Sequence, residues 1–167
     1  MSDPERRKRG LEAFSKVMGF APPALAGDLF LDVTLDHLFA DVWSRPGLSV
    51  RDRRLVTLTV LMGLGNEATL KLHLGAAMRT GQLSDEEIDE LVLHVAHYAG
   101  WPVAAVASQV VRQLRSERDA AAKSFSTWHG AAQAGNLLMI FGLAVYVWRV
   151  ANPSDALRFL NPMHIRS

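Results

Sequence analysis

The stretch that decides the fold class is Ser84–Gly100, SDEEIDELVLHVAHYAG. It opens with Ser84 followed three residues later by Glu87, the pattern of a helix capping box, and it closes on a glycine. Apolar residues recur between these ends at intervals of three and four, at Ile88, Leu91, Val92, Val95 and Ala99. This spacing predicts an amphipathic α-helix with both of its ends encoded in the sequence.

Helical patterns of the same kind extend in both directions from this segment. They predict five more helices, at about Pro4–Met18, Asp28–Trp43, Val50–Leu64, Asn66–Arg79 and Val103–Ala122. The third is apolar almost all round after its charged first turn, which is typical of a central, buried helix. No window alternates with period two, so we expect an all-α bundle, with residues 1–122 as one domain and residues 123–167 as an extension.

The extension contains an apolar segment, Leu137–Trp148, which predicts a further C-terminal helix. These twelve residues are fewer than the roughly 20 that span a bilayer, so a buried or interface helix is favoured over membrane association. No apolar signal core follows the basic residues Arg6–Arg9, which favours a cytoplasmic location.

Composition excludes several classes of function. The 167 residues include no cysteine, which removes disulfides, thiolate metal sites and cysteine nucleophiles. The formal net charge of +1 gives no reason to expect nucleic acid as a partner. His94 and His97 lie three apart, but no carboxylate is obviously placed to complete a metal site, so none is predicted.

His73 is placed on the inward side of the fourth helix by its neighbours. Glu67 and Lys71 are four apart, in the favourable order for an exposed ion pair. His73 follows Lys71 by two positions, about 200° around the helix. It therefore shares a column with Leu70 and Ala77, and it is either a hydrogen-bonded core residue or a cavity residue.

A polar column runs along the fifth helix beside its apolar stripe. Glu90 lies one turn before His94 and could hold its ring by a hydrogen bond, and Tyr98 lies one turn after it. A carboxylate, an imidazole and a phenol in succession can support proton transfer. The same column is also compatible with a row of solvated i, i+4 neighbours, and position alone favours that interpretation.

Three blocks of sequence carry a family resemblance. They are WSRPGLS at residues 43–49 with RRLVTL at 53–58, LKLHLGAA at 70–77, and EEI at 86–88 with LHVAHYAGWP at 93–102. In order and spacing they closely resemble the carboxymuconolactone decarboxylase family over about residues 10–115. The resemblance implies a compact, all-α fold of the alkylhydroperoxidase D type, assembled into homotrimers or homohexamers with sites at subunit contacts.

The resemblance also implies one of two activities. One is decarboxylation of a carboxylated γ-lactone in aromatic-acid breakdown. The other is a peroxidase reaction that needs a CxxC pair one turn before the histidine; Asn66 and Thr69 occupy those positions here, which excludes it. For the decarboxylase, no cofactor is required, because the lactone itself accepts the electrons left by carbon dioxide.

The same resemblance guides the choice of site residues. We predict His73 as the proton donor, and His94 and Tyr98 as polarising or orienting groups. Arg45 would hold a substrate carboxylate through its planar guanidinium, and Glu67 is a weaker candidate for substrate binding.

Two departures from the family pattern bear on the substrate. After Pro102 the family usually carries an asparagine and often a histidine, where this chain has Ala104, Ala105 and Val106. His97 replaces a residue that is usually aliphatic. The alternatives are therefore a related lyase or hydrolase acting on another lactone or carboxylated ring, or a non-catalytic oligomeric binding protein of the same fold.

Overall fold

The computed structural model describes residues 3–24 and 27–152, and every regular element in these ranges is helical. Six helices are labelled in chain order, with a π-helical segment at Thr34–Trp43 directly continuing the second. They are α1 Pro4–Met18, α2 Leu29–Val33, α3 Val50–Gly63, α4 Glu67–Thr80, α5 Asp85–Ala99 and α6 Trp101–Ala151. The all-α prediction is confirmed. The chain forms two compact units, with the boundary between them after Glu117.

The predicted helix starts agree with the observed caps. The Asp3 carboxylate accepts from the Glu5 amide at 3.1 Å, and the Ser49 hydroxyl accepts from the Asp52 amide at 3.0 Å. The capping box of α5 is complete, with both reciprocal hydrogen bonds between Ser84 and Glu87 present. These signals are local in sequence, which explains why the sequence located them.

The first unit contains two apolar clusters. The central core comes from α3, α4, α5 and the start of α6, and it includes Leu58, Leu74, Ile88 and Ala107. The N-terminal core comes from α1, the π-helical segment and Ala76 of α4.

Gly10 allows α1 to approach the π-helical segment closely. A Cβ atom at this position would lie 2.2 Å from the backbone oxygen of Leu35. The buried side chains of the segment, which include Phe39 and Trp43, pack against Phe14 and Val17 of α1. This packing holds Trp43 at the edge of the site described below.

Two predictions about helices are wrong. Helix α3 is not buried on several sides: Val56, Val60 and Leu64 are exposed in the single chain. The sixth helix does not end near Ala122 but continues to Ala151 and includes the apolar segment. No proline falls between Pro102 and Pro153, and the glycines in between only weaken a helix by about 1 kcal/mol each.

In the second unit, every described side chain from Arg118 to Asn152 is exposed, so the apolar segment is not buried in this chain. Within the described ranges, Trp101–Ala151 is the one helix that meets length and composition criteria for crossing a membrane. Its most apolar 18-residue window has a mean hydropathy of 1.5 and no buried residue. The residues of the predicted extension beyond 152 lie outside the described part.

Candidate active site

Arg54 is the buried charged residue at the centre of the candidate site, with an exposed fraction of 0%. Its Nε–H donates to the Gln82 Oε1 atom at 3.1 Å, and its Nη2–H donates to the backbone carbonyl of Val17. Its guanidinium carbon lies 5.3 Å from the centre of the Trp43 ring, as in a cation–π contact. Arg54 therefore joins α3 to α1, the π-helical segment and the turn after α4.

The remaining guanidinium nitrogen of Arg54 orients His73. Its Nη1–H donates to Nδ1 of His73, because a guanidinium has donors only. The proton of a neutral His73 must then reside on Nε2. The His73 ring is stacked on Trp43, with ring centres 6.1 Å apart and planes 13° apart.

The Nε2–H group of His73 remains available to a ligand. It makes no hydrogen bond within the described part of the chain, and it is not among the buried polar atoms that lack a partner. The side chain as a whole is half-buried. His73 thus presents a hydrogen-bond donor of fixed tautomer to solvent.

Burial and charge together keep this imidazole neutral. Burial, and then the adjacent Arg54 charge, lowers the pKa of His73 to about 4. Burial, and then the charge of Arg79, lowers the pKa of Arg54 to about 10, so the guanidinium stays protonated near pH 7. The pair is therefore a fixed cation beside a neutral imidazole.

Two neighbour relations expected from the sequence are absent. Lys71 pairs with Glu117 of α6 at 2.8 Å and not with Glu67, because the start of α6 packs beside α4 and brings a carboxylate within reach. Glu90 makes no hydrogen bond to His94 among the described residues. The prediction that His73 points inward is nevertheless confirmed, because Leu70 and Ala77 of the same column are buried.

The other predicted site residues lie on the surface of the single chain. His94 and Tyr98 contact each other on α5, with ring centres 4.8 Å apart, and Tyr98 is 83% exposed. Glu67 and Arg45 are also exposed, and the Arg45 carbonyl accepts from Arg53 at 3.0 Å. No hydrogen bond, ion pair or ring contact between described residues connects His94 or Tyr98 with His73.

A cavity of about 440 Å³ has Trp43 in its lining. Arg9, Lys16 and Arg45 contribute three cationic side chains to its lining, and Glu12 contributes one carboxylate. Trp43 and Val17 belong both to this lining and to the surroundings of Arg54. Its size suits a small molecule, and its charge suits an anion.

A second cavity, of about 400 Å³, lies between α5 and α6. Trp101, Ala104 and Ala105 line it, together with Arg112 and Arg115. Ala104 and Ala105 are positions where the sequence departs from the family pattern. Two of the residues that depart from the family pattern therefore line this cavity.

Arg54 is the site residue that the sequence analysis missed. It lies in the first turn of α3, which the sequence pattern marks only as charged. The signal that locates it is helical spacing: Arg54, Leu58 and Met62 recur every four residues and are the three buried residues of α3. Among the described residues, no group of three or more His, Asp or Glu side chains is arranged to hold a metal ion.

Comparison with known proteins agrees with the resemblance read from the sequence. Residues 28–113 match the model of the carboxymuconolactone decarboxylase family. The chain is 36% identical over 121 residues to a 4-carboxymuconolactone decarboxylase of Acinetobacter baylyi, covering 68% of this chain and 90% of the relative. It is 39% identical over 82 residues to the nitrosuccinic acid decarboxylase of Metarhizium robertsii, covering 49% of this chain and 56% of that protein. Both relatives are named as decarboxylases, which supports a carboxy-lyase.

Proposed function

Because the chain belongs to the carboxymuconolactone decarboxylase family, we propose that it is a cofactor-independent decarboxylase of a carboxylated γ-lactone, of the 4-carboxymuconolactone type, in aromatic-acid breakdown. The observation that carries the proposal is the Arg54–His73 pair. It offers a hydrogen-bond donor of fixed tautomer, held by a buried cation that has no carboxylate among its hydrogen-bond partners.

The reaction needs a donor at one oxygen and a proton at one carbon. When the bond from the γ-carbon to the carboxylate breaks, carbon dioxide leaves and the electron pair moves through the ring double bond to the lactone carbonyl oxygen. A proton then adds to the α-carbon and completes the enol-lactone. A preorganised donor at the developing oxyanion contributes about 3–4 kcal/mol to such a step.

We assign His73 to the lactone oxygen. A neutral imidazole can donate a hydrogen bond from Nε2 without giving up its proton, and the lowered pKa of His73 favours this form near neutral pH. This revises the predicted role of His73 as the proton donor. We therefore assign the donation of a proton to the α-carbon to the His94–Tyr98 pair, whose rings are in contact.

The exposure of His94 and Tyr98 favours a site completed by a neighbouring subunit. The uncovered apolar face of α3, with Val56, Val60 and Leu64, is a surface that a second copy would bury. A homotrimer or homohexamer, as the family resemblance implies, would supply that copy. The catalytic pair of one subunit would then meet His73 of the next.

The basic cavity beside Trp43 is the proposed position for the substrate carboxylates. Arg45 can hold a carboxylate through two parallel N–H groups, and Arg9 and Lys16 add positive charge nearby. The Glu67 side chain makes no hydrogen bond or ion pair within the described ranges. Its role in substrate binding stays a prediction.

A nitro-substituted dicarboxylic acid is the second candidate substrate class. This class is favoured because the relative from Metarhizium robertsii is named for nitrosuccinic acid. The chemistry is equivalent, because the electrons from the broken bond then settle on a nitro oxygen. The same donor would serve both substrates.

The test is carbon dioxide release from 4-carboxymuconolactone, from other carboxylated lactones and from nitrosuccinate. We expect turnover of at least one, and a fall in kcat of about 10²–10³-fold in His73→Ala. His37→Ala, which changes an exposed histidine 69% accessible at its side chain, is the matched control and should retain activity. No turnover of any of these substrates, or a wild-type rate in a folded His73→Ala protein, would contradict the proposal.

A further inference from the structure

The last part of α6 carries a surface that the proposed decarboxylase activity does not use. From Leu137 to Val150 the helix exposes large apolar side chains at eleven of fourteen positions, namely Leu137, Leu138, Met139, Ile140, Phe141, Leu143, Val145, Tyr146, Val147, Trp148 and Val150. The family match ends at residue 113, so this surface lies outside it. We propose that residues 124–148 of α6, which include most of this surface, form a membrane-spanning helix that anchors the protein to a lipid bilayer.

The length of the uncharged segment fits a bilayer. Residues 124–148 contain no Asp, Glu, Lys or Arg, and Lys123 and Arg149 flank them. At 1.5 Å per residue, the segment between these charges measures about 37 Å. The hydrocarbon core of a bilayer is about 30 Å thick. The twelve-residue estimate from sequence was too short because it counted only the most apolar part of a continuous helix.

Aromatic side chains stand at both ends of this segment. Trp128 and Trp148 are 20 positions apart, which corresponds to about 30 Å along a helix. Tyr146 lies two positions before the second of them. Tryptophan and tyrosine concentrate at the two interfaces of a membrane, where their rings meet the headgroups. The spacing of these residues therefore matches the spacing of the two interfaces.

The polar side chains in the first half of the segment are mostly satisfied within the helix. The hydroxyls of Ser126 and Thr127 donate to the Lys123 carbonyl, each at 2.9 Å. Gln133 and His129 are hydrogen-bonded to each other through their side chains at 3.1 Å. Local pairing of this kind removes much of the penalty for placing polar groups in lipid. Asn136, near the middle of the segment, can hydrogen-bond to a partner helix, a common arrangement in membranes.

The distribution of apolar residues favours lipid over a second copy of the chain. A helix that associates with another in water keeps a polar face, because the partner covers one side only. Here fourteen consecutive positions cover the whole circumference, and Arg149 is the one charged residue among them. A bilayer surrounds a helix on all sides and can cover this surface completely.

The first experiment is extraction of the full-length protein from phosphatidylcholine–phosphatidylglycerol vesicles with alkaline carbonate. We expect the wild type to stay with the vesicles, and Leu138→Arg, at the midpoint between the two tryptophans, to shift the bound-to-free ratio about 100-fold toward release. Ala122→Arg introduces the same charge on an exposed position outside the segment and should behave as wild type. The proposal would be overturned by a wild-type protein that carbonate releases, or by one that is monodisperse in buffer without detergent and does not bind vesicles.

The absence of cysteine allows a second test that separates spanning from surface binding. Single variants Ala122→Cys, Leu138→Cys and Ala151→Cys are each treated with a membrane-impermeant maleimide in sealed vesicles. We expect the labelled fractions at 122 and 151 to be complementary, to become complete in detergent, and to be negligible at 138 before detergent. Complete labelling at both 122 and 151 in sealed vesicles would show a helix lying on the surface and would overturn the proposal. Neither outcome depends on catalytic activity.

Discussion

At the scale of single residues, the arrangement that defines the site is a buried arginine holding a histidine. The inward position of His73 could be predicted from helical geometry, because direction on a helix depends only on spacing. Arg54 could not be recognised from its own position, since arginine is rarely buried and its neighbours Arg51 and Arg53 are charged. Its burial depends on partners that are distant in sequence, including Val17 and Gln82.

The lowered pKa of His73 predicts an acid-sensitive contribution to stability. Its pKa is about 4 in the folded chain against 6.5 as the ordinary value, so the unfolded state binds more protons between these values. The free energy of unfolding should therefore fall by about 1–2 kcal/mol as pH decreases from 6.5 to 4, after allowance for the exposed part of the ring. Urea unfolding at pH 7 and pH 4.5 measures this change.

The matched variant for this measurement is His73→Gln, whose side-chain oxygen can still accept from Arg54. It should lose less stability than the wild type over the same pH interval, because glutamine does not titrate. Equal losses in both proteins would assign the acid sensitivity to other groups.

Substitution of Arg54 tests the positioning of His73. Arg54→Lys keeps the charge, but an ammonium cannot reproduce three planar N–H donors at fixed angles. We expect a loss of about 2 kcal/mol in unfolding free energy and a fall of at least about tenfold in kcat, with a smaller change in KM. Arg51→Lys is the control, since it keeps an exposed ion pair with Glu87. An Arg54→Lys protein with wild-type kcat would show that the pair serves the fold alone.

At the scale of helices, the ends were predictable and the continuity was not. The capping residues Asp3, Ser49 and Ser84 act within three positions of the backbone groups they satisfy. Helix α6 continues through Gly130, Gly135 and Gly142 because no proline interrupts it. A missing helix breaker is a weaker signal in a sequence than a capping residue, so this continuation was not predicted. The π-helical turns of Thr34–Trp43 likewise arise from packing against α1, which no local pattern shows.

The close approach of α1 to the π-helical segment gives a prediction at this scale. Gly10→Ala places a methyl group against the backbone carbonyl of Leu35. Because this carbonyl belongs to a packed helix and cannot easily move away, the substitution should lower the unfolding free energy by about 1–3 kcal/mol. Gly63→Ala is the control, because nothing lies within 4 Å of its added methyl group. The two variants should differ in thermal midpoint by several degrees. Equal midpoints would contradict the tight packing at Gly10.

At the scale of the whole molecule, the proposed site requires more than one chain. Within the described part of one chain no contact joins His73 to the His94–Tyr98 pair, and α3 exposes the apolar side chains of Val56 and Val60. Sequence could indicate which residues take part, but their assembly depends on surfaces of two molecules. The trimer or hexamer and the cytoplasmic location remain predictions.

Mixing two inactive variants tests the shared site. His73→Ala and His94→Ala chains, unfolded together and reassembled, should recover about a quarter of wild-type activity, since each shared site draws its two chains independently. Each variant refolded alone is the control and should stay inactive. Failure of the mixture to recover activity, when mass spectrometry shows mixed oligomers, would place both histidines in one chain's site or exclude one of them.

The central claim is that Arg54 holds His73 as a neutral imidazole protonated on Nε2, and nitrogen NMR of histidine-labelled protein measures this state directly. The chain has six histidines, and His73→Gln assigns the signal by its loss. We predict a His73 signal with an unprotonated Nδ1 and a protonated Nε2 at pH 7, titrating near pH 4. A His73 that is doubly protonated at pH 6, or that carries its proton on Nδ1, would contradict the account.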